Sequence, residues 1–345
     1  MPLILAHIAQ ILIAGLGGLV FYWIGVPAAW LSGAAIGAIL WGLTKHSVPM
    51  PKALADAAML ISGAAMGAAV TPAAITAMGR YPGSLVLLVL GVAAISWTST
   101  LWLTRISGWR TADAVLASVP GALSTVLAVA ADRKADVPSV AIVQNLRLFV
   151  LIALLPSIVV VTGGGGNTNV LIGQGMPIES PGGLAIILFG GLGLGLVFKK
   201  LKVAAPILLG SMVVSSASHG TELVTGVIPP VIATCGLVLI GLFIAERFRN
   251  IQRSMLKRAL IAALGSFSVG MGIAVVFSAL AAWAADVSFA NSLVAFAPGG
   301  LEAMTVLALV LGLDPLYVGI HHLVRFLSIG LVLPFLIGWL QRRNA

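Results

Sequence analysis

The chain has 345 residues, of which 60% are hydrophobic and only 8% charged, and its mean hydropathy is +1.12. A soluble domain carries about one-quarter charged residues, so a soluble protein is excluded; disordered and collagen-like chains fall with it, and a lone cysteine, Cys235, rules out a disulfide scaffold. The formal charge of +9 comes from Lys and Arg scattered between apolar segments, a pattern of membrane loops rather than of a nucleic-acid-binding face.

Apolar runs at 4–24, 26–43, 53–78, 82–104, 139–162, 182–198, 203–218, 225–245, 258–284 and 316–340 read as spanning helices. They are unbroken rather than alternating, which argues against a transmembrane β-barrel. The N-terminal MPLILAHIAQ lacks the basic region of a cleavable signal and reads as the start of the first span. Two further segments, 112–131 and 288–313, are interrupted at their centres by Pro-Gly, in Ser118-Val119-Pro120-Gly121-Ala122-Leu123 and Phe296-Ala297-Pro298-Gly299-Gly300-Leu301. A glycine-rich linker, 166–181, separates a first repeat, 1–165, from a second, 182–345.

The halves match at a nearly constant offset. Pro120-Gly121 and Pro298-Gly299 are 178 residues apart, as are Arg147 and Arg325, and Pro156 and Pro334. Val26, Ala28, Leu31 and Gly33 match Val203, Ala205, Leu208 and Gly210 at 177. Chance in a low-complexity apolar chain explains isolated glycine matches, but not two aligned Pro-Gly pairs and two aligned arginines inside apolar runs.

Charge counting sets the topology. If both Pro-Gly segments span, twelve helices place six Lys/Arg on one side and eleven on the other. If each segment turns back as a hairpin, ten spans remain. The inner side then holds sixteen, in 45–52, 105–110, 133–134, 199–202, 247–258 and 342–343, against Arg80 alone outside. The positive-inside rule selects the second arrangement, with both termini cytoplasmic. Five spans per half is an odd number, so the halves insert upside down relative to each other. The expected fold is therefore all-α and polytopic: two inverted repeats of five spanning helices, each with a Pro-Gly broken re-entrant hairpin. That is an architecture of secondary transporters. Irregular backbone at such depth survives only when buried in protein or lining a wet cavity.

The candidate binding residues follow from this layout. Pro120, Gly121, Pro298, Gly299 and Gly300 break the helices and leave unpaired backbone groups. Half-helix N-termini after the breaks suit an anion. Arg147 and Arg325 lie inside apolar runs and are functional candidates, against snorkelling or a structural pair. Glu302 is the one acid deep in either hairpin; it could carry a proton or pair with Arg325. Ser124 is its counterpart, with Thr125 beside it. His321 shares a helix face with Arg325, one turn on, and Gln144 and Asn145 occupy the same region of the first half. His321 and His322 also admit a plain packing role. Adjacent histidines point to different faces and the other three lie far off, so no metal or other cofactor is expected. Gly15, Gly17, Gly18, Gly190, Gly191, Gly193 and Gly195 read as close helix packing.

The S-x-P-G-A-L-S-T stretch of one half and F-A-P-G-G-L-E-A-M of the other, each followed by an arginine-bearing span, resemble the bacterial AbrB membrane-protein family. The resemblance covers essentially the whole chain, and Pro298–Met304 is its most specific part. This family is distinct from the soluble DNA-binding regulator of the same name. Its members carry labels of ammonia monooxygenase or of regulator of gene expression. The resemblance implies kinship with the cation:proton antiporter and anion transporter superfamily, whose carriers have two inverted five-span halves with pore loops. It implies no substrate.

The expected function is secondary transport of a small anionic solute across the bacterial inner membrane, with binding at the paired hairpins. The alternative is a membrane-embedded regulator or sensor that keeps a transporter-like fold. An oxygenase is not expected, because one Cys and five scattered His make no metal or haem site. The expected partners are a small molecule or ion and the lipid bilayer, not nucleic acid, and an oligomer is compatible with the sequence.

Overall fold

The computed structural model of the protein describes residues 3–42, 48–68, 76, 78–121, 126–127, 129–130, 135–164, 177–249 and 253–343. Among these the regular structure is helical: α1 (Leu3–Trp23), α2 (Ala29–Gly42), α3 (Lys52–Ala68), α4 (Tyr81–Leu101), α5 (Thr111–Ser118), α6 (Val137–Val161), α7 (Pro181–Lys200), α8 (Pro206–Gly220), α9 (Pro230–Glu246), α10 (Arg253–Ala285), α11 (Phe289–Phe296), α12 (Leu301–Val310) and α13 (Pro315–Arg343). A π-helical turn, Trp102–Ile106, extends α4. Among the described residues six segments are long and apolar enough to cross a membrane: Leu3–Trp23, Met78–Ile106, Val137–Val161, Pro181–Lys200, Ala259–Ala285 and Pro315–Leu333. The chain is an all-helical polytopic membrane protein.

Each of the ten apolar runs contains one of these helices. α8 and α9 begin several residues inside their runs, at Pro206 and Pro230. Proline has no N–H to satisfy and a φ already suited to the first turn. The Pro-Gly segments break where the sequence says. α5 ends with Val119 extended (φ −60°, ψ 123°) before Pro120, and α11 ends with Ala297 extended (φ −52°, ψ 135°) before Pro298. A residue preceding proline is pushed out of the helical region, so the break is local chemistry repeated at one offset.

The helices gather into two compact units, each drawing on both halves of the sequence. The first comprises Met1–Ala77, Pro156–Arg249 and Thr305–Leu316; the second comprises Met78–Leu155, Asn250–Met304 and Tyr317–Ala345. In the first unit α1 packs on α2, α7 on α8, α3 on α8, α2 on α9, α3 on α9, α1 on α9 and α3 on α7. Lipid tails are as apolar as leucine, so these contacts rest on close van der Waals approach rather than on escape from water. Glycines permit it. A Cβ on Gly17 would strike the Gly33 carbonyl, and one on Gly210 the Gly195 backbone. A Cβ on Gly63 would strike the Leu208 carbonyl, and one on Gly241 the Leu31 carbonyl. Gly18, Gly190 and Gly191 are likewise packed, but Gly15 and Gly193 face open space, so they are not packing glycines. Helix spacing from sequence does not say which face of a glycine-rich helix meets a neighbour.

In the second unit α4 packs on α10, α5 on α4 and α11 on α10. Its apolar core includes Leu103, Leu116, Val140, Val143, Leu146, Ala263 and Ile329. Ala28 and Ala205, matched in the sequence and both in the first unit, are left-handed at φ 55° and 45°, immediately before α2 and α8. Non-glycine residues seldom adopt this region, so the two turns share an unusual conformation.

Outside the spans, Glu179 ties the segment before α7 to the α8–α9 loop. Its Oε1 accepts from the Ser180 backbone N–H (2.8 Å) and hydroxyl (2.7 Å), and its Oε2 from the amides of Thr225 (3.0 Å) and Gly226 (2.6 Å). The Ser180 hydroxyl foremost, then the Gly226 amide, hold this carboxyl down at about 2. A depressed carboxylate stabilises above its unfolded value, near 4.5, and the contribution is lost as pH falls toward 2. Glu179→Gln is therefore expected to speed amide hydrogen exchange at Thr225 and Gly226 near neutral pH, while wild type keeps its protection down to about pH 4 once intrinsic rates are corrected.

Candidate functional site

The residues singled out by sequence that the structure describes all fall in the second unit. Ser124 and Thr125 lie outside the described residues. Of the others, the two arginines and the side chains bonded to them form two similar clusters, one at each break.

In the first cluster α6 carries Gln144, Asn145 and Arg147 beside the end of α5. Arg147 Nη1 donates to the Ser118 carbonyl (3.3 Å), and Nη2 to the Val119 carbonyl (3.4 Å) and to Gln144 Oε1 (2.6 Å). Gln144 Nε2 donates in turn to the carbonyls of Leu116 and Val119, both at 3.0 Å. Arg147 is only 7% exposed, so it does not snorkel. Its Nε is buried with no hydrogen-bond partner. Asn145, two residues before Arg147, is buried as well.

The second cluster repeats the first. α13 brings Arg325 to the end of α11, where Nη1 donates to the Ala297 carbonyl (2.8 Å) and Nη2 to the Gly299 carbonyl (2.7 Å) and to His322 Nδ1. His322 Nε2 lies 3.1 Å from the Val294 carbonyl. Nδ1 accepts and Nε2 faces a carbonyl, so the ring is the Nε2–H tautomer. At the offset of 178, Arg325 stands for Arg147, His322 for Gln144, Val294 for Leu116 and Ala297 for Val119. In both halves an arginine closes the last turn before the break, and a polar residue three places earlier accepts from it and faces carbonyls of that same helix end. The last carbonyls of a helix have no intrahelical partner, and a cation placed there also meets the negative end of the helix dipole.

The arms are anchored to the long helices in the same repeated way. The Thr100 hydroxyl of α4 bonds the Ser96 carbonyl (2.7 Å) and meets Ser118 Oγ (2.7 Å). Ser278 of α10, its counterpart, bonds the Ala274 carbonyl (2.6 Å) and the Ser292 carbonyl (3.3 Å).

The two breaks adjoin. Gly121 has φ +84°, and a Cβ placed on it would lie 3.3 Å from Arg325 Nε and 3.8 Å from the Gly299 carbonyl oxygen. Gly121 thus lies against the Nε edge of Arg325. Glu302 stands in the first turn of α12, just past the second break. Thus Pro120, Gly121, Gln144 and Arg147, and Pro298, Gly299, Gly300 and Arg325, belong to one neighbourhood.

His321 makes none of the hydrogen bonds of these two clusters. Its Nδ1 is 2.8 Å from the Tyr317 carbonyl and its Nε2 is 2.8 Å from Ser84 Oγ of α4. Its ring lies 4.0 Å from that of Tyr317 and about 6 Å from Tyr81 and Phe296. Sequence reasoning weighed His322 but chose His321 for the site, and it missed Ser84. The signal for His322 was its register with Gln144; for Ser84 there was none, because nothing in a spanning run marks a serine as facing a distant helix.

Among the described residues no group of three or more His, Cys, Asp or Glu is arranged to hold a metal ion. A family model described as transition state regulatory protein AbrB matches residues 30–341. No curated protein and no solved structure matches the chain.

Proposed function

Because the chain belongs to the AbrB family, with the helical membrane fold above, we propose that it is a secondary transporter of a small anionic solute, built as two inverted five-span repeats whose re-entrant hairpins meet at the binding site. The observation that carries this reading is the apposition of the breaks: Gly121 of one against Arg325 and Gly299 of the other. Two interrupted helices facing each other, with a guanidinium edge between them, suit an anion. The partners that hold both arginines are carbonyls, an amide and a neutral imidazole. None of these cancels the positive charge, so a bound anion gains from it at low dielectric.

The re-entrant topology is supported by contacts between residues that twelve spans would put on opposite faces. Asp113 Oδ1 accepts from the Asp136 amide (3.0 Å), joining the two ends of the first hairpin segment. Arg80 and Asp286 pair at 2.9 Å, and Lys199 and Asp56 at 3.7 Å. The duplication is supported by the helix packing. Exchanging α1, α2 and α3 with α7, α8 and α9 leaves the contacts of the first unit unchanged, and exchanging α4 and α5 with α10 and α11 does so for the second.

A regulator is the second reading, favoured by the description of the family. It needs an output surface, for which the basic stretch 246–258 is the sequence's one offer. Flux into proteoliposomes separates the two. The transporter reading expects saturable uptake of at least one small anion from a panel of carboxylates, amino acids, inorganic anions and cations. No uptake across the whole panel, with a partner captured by crosslinking at 246–258, contradicts it.

A further inference from the structure

The hydrogen bonds around His321 close for a neutral ring and leave a place for one proton more. Three contacts need protons: Nδ1 to the Tyr317 carbonyl (2.8 Å), Nε2 to Ser84 Oγ (2.8 Å), and Ser84 Oγ to the Tyr81 carbonyl (2.9 Å). Carbonyls only accept, so Nδ1 carries a hydrogen and the Ser84 hydroxyl has one to give. In a neutral ring Nε2 accepts from the Ser84 hydroxyl, and the Tyr81 carbonyl, already paired within its helix, stands as a second acceptor that this hydroxyl can turn to. A third hydrogen, on Nε2, satisfies all three contacts together. We infer that His321, Ser84 and the Tyr81 carbonyl form a proton-binding site in which one proton from water adds to Nε2 while the Ser84 hydroxyl swings its hydrogen from Nε2 to the Tyr81 carbonyl. Release reverses both movements, and no other bond changes.

The surroundings give this site a use. His321 and Ser84 are both fully buried. The ring is boxed by Tyr81 from α4, Phe296 from α11 and Tyr317 from its own helix, and aromatic faces favour a cation. The titratable and charged groups around it are Tyr81 on α4, and Tyr317, His322 and Arg325 on α13, while Phe296 of α11 brings none. His322 already accepts from Arg325, so it is not free to take the proton. Arg325, one turn beyond His321, opposes a second positive charge. An anion at Arg325 removes that opposition, so proton and anion favour each other's binding through a reciprocal coupling. Resting on the transport reading, the site makes the protein a proton–anion symporter.

Two measurements test it with the full chain. The first is a nitrogen-15 NMR titration of imidazole-labelled protein in lipid nanodiscs, from about pH 4 to about pH 9, alone and with phosphate, succinate or citrate. The His321 signals, identified by their loss in His321→Gln, are expected to pass once from a singly to a doubly protonated ring, at higher pH when a bound anion is present. A ring that takes no second proton under any of these conditions overturns the proposal. The second uses proteoliposomes with an entrapped pH dye. Wild type is expected to acidify the lumen as the anion enters, and His321→Gln to keep anion exchange while losing the dye response. Ser84→Ala is expected to lose it as well. An unchanged dye response in His321→Gln overturns the proton site. If wild type carries no anion, the transport reading fails by itself, and the titration alone decides whether His321 binds the proton.

Discussion

Arg325→Ala is expected to lower the thermal midpoint of the detergent-purified protein by on the order of 5–10 °C and to abolish anion flux. The substitution strips hydrogen bonds from the Ala297 and Gly299 carbonyls and from His322. Each buried polar group left unpaired costs about 1–3 kcal/mol, and within a bilayer no water takes the lost partner's place. Against this stands relief from burying a charge, which can be several kcal/mol. The lost bonds outweigh that relief, because the carbonyls at a broken helix have nowhere else to turn, and about 2–4 kcal/mol remains, which gives the stated shift. Arg325→Lys is expected to fall between, since one ammonium cannot reproduce a fork on two carbonyls. His322→Gln provides the matched comparison: it installs the first half's own solution, Gln144, and is expected to hold the midpoint near wild type, whereas His322→Leu is not. A midpoint for Arg325→Ala equal to wild type would show that the arginine does not hold the break.

Gly121→Ala is expected to impair flux far more than Gly299→Ala. At φ +84° any β-carbon costs about 1–2 kcal/mol in backbone strain, and here it also presses on Arg325 Nε at 3.3 Å. The nearest atoms to a β-carbon on Gly299 belong to the side chain of Met304, which is flexible and can repack. The initial rate of anion uptake, normalised to protein incorporated, measures both. Equal effects would mean that the closeness of Gly121 to Arg325 has no functional weight.

Much of this arrangement was legible in the sequence. Proline acts on its own neighbour, so Pro120 and Pro298 announced the helix ends at Ser118 and Phe296 without knowledge of the fold. The offset of 178 paired Arg147 with Arg325 and, read further, pairs Gln144 with His322. What the arginines bind was not legible, since backbone carbonyls carry no side-chain signature and every residue has one. The grouping of α4 to α6 with α10, α11 and α13 was hidden for a related reason. Helices in lipid choose neighbours by fine surface fit, and a glycine such as Gly193 looks in sequence like Gly195 although only one of them touches another helix. The Ser84–His321 contact spans 237 residues and joins two apolar runs with no local cue.

The account rests on the hairpins turning back within the bilayer, and labelling of single cysteines in intact cells tests that most directly. In a Cys235→Ser background, Asp286→Cys and Asp314→Cys are expected to react with a membrane-impermeant maleimide from outside, while Arg110→Cys and Asp136→Cys react only after the membrane is opened. If positions 286 and 314 report opposite faces, the second segment spans, the halves are not inverted, and the site described here does not form.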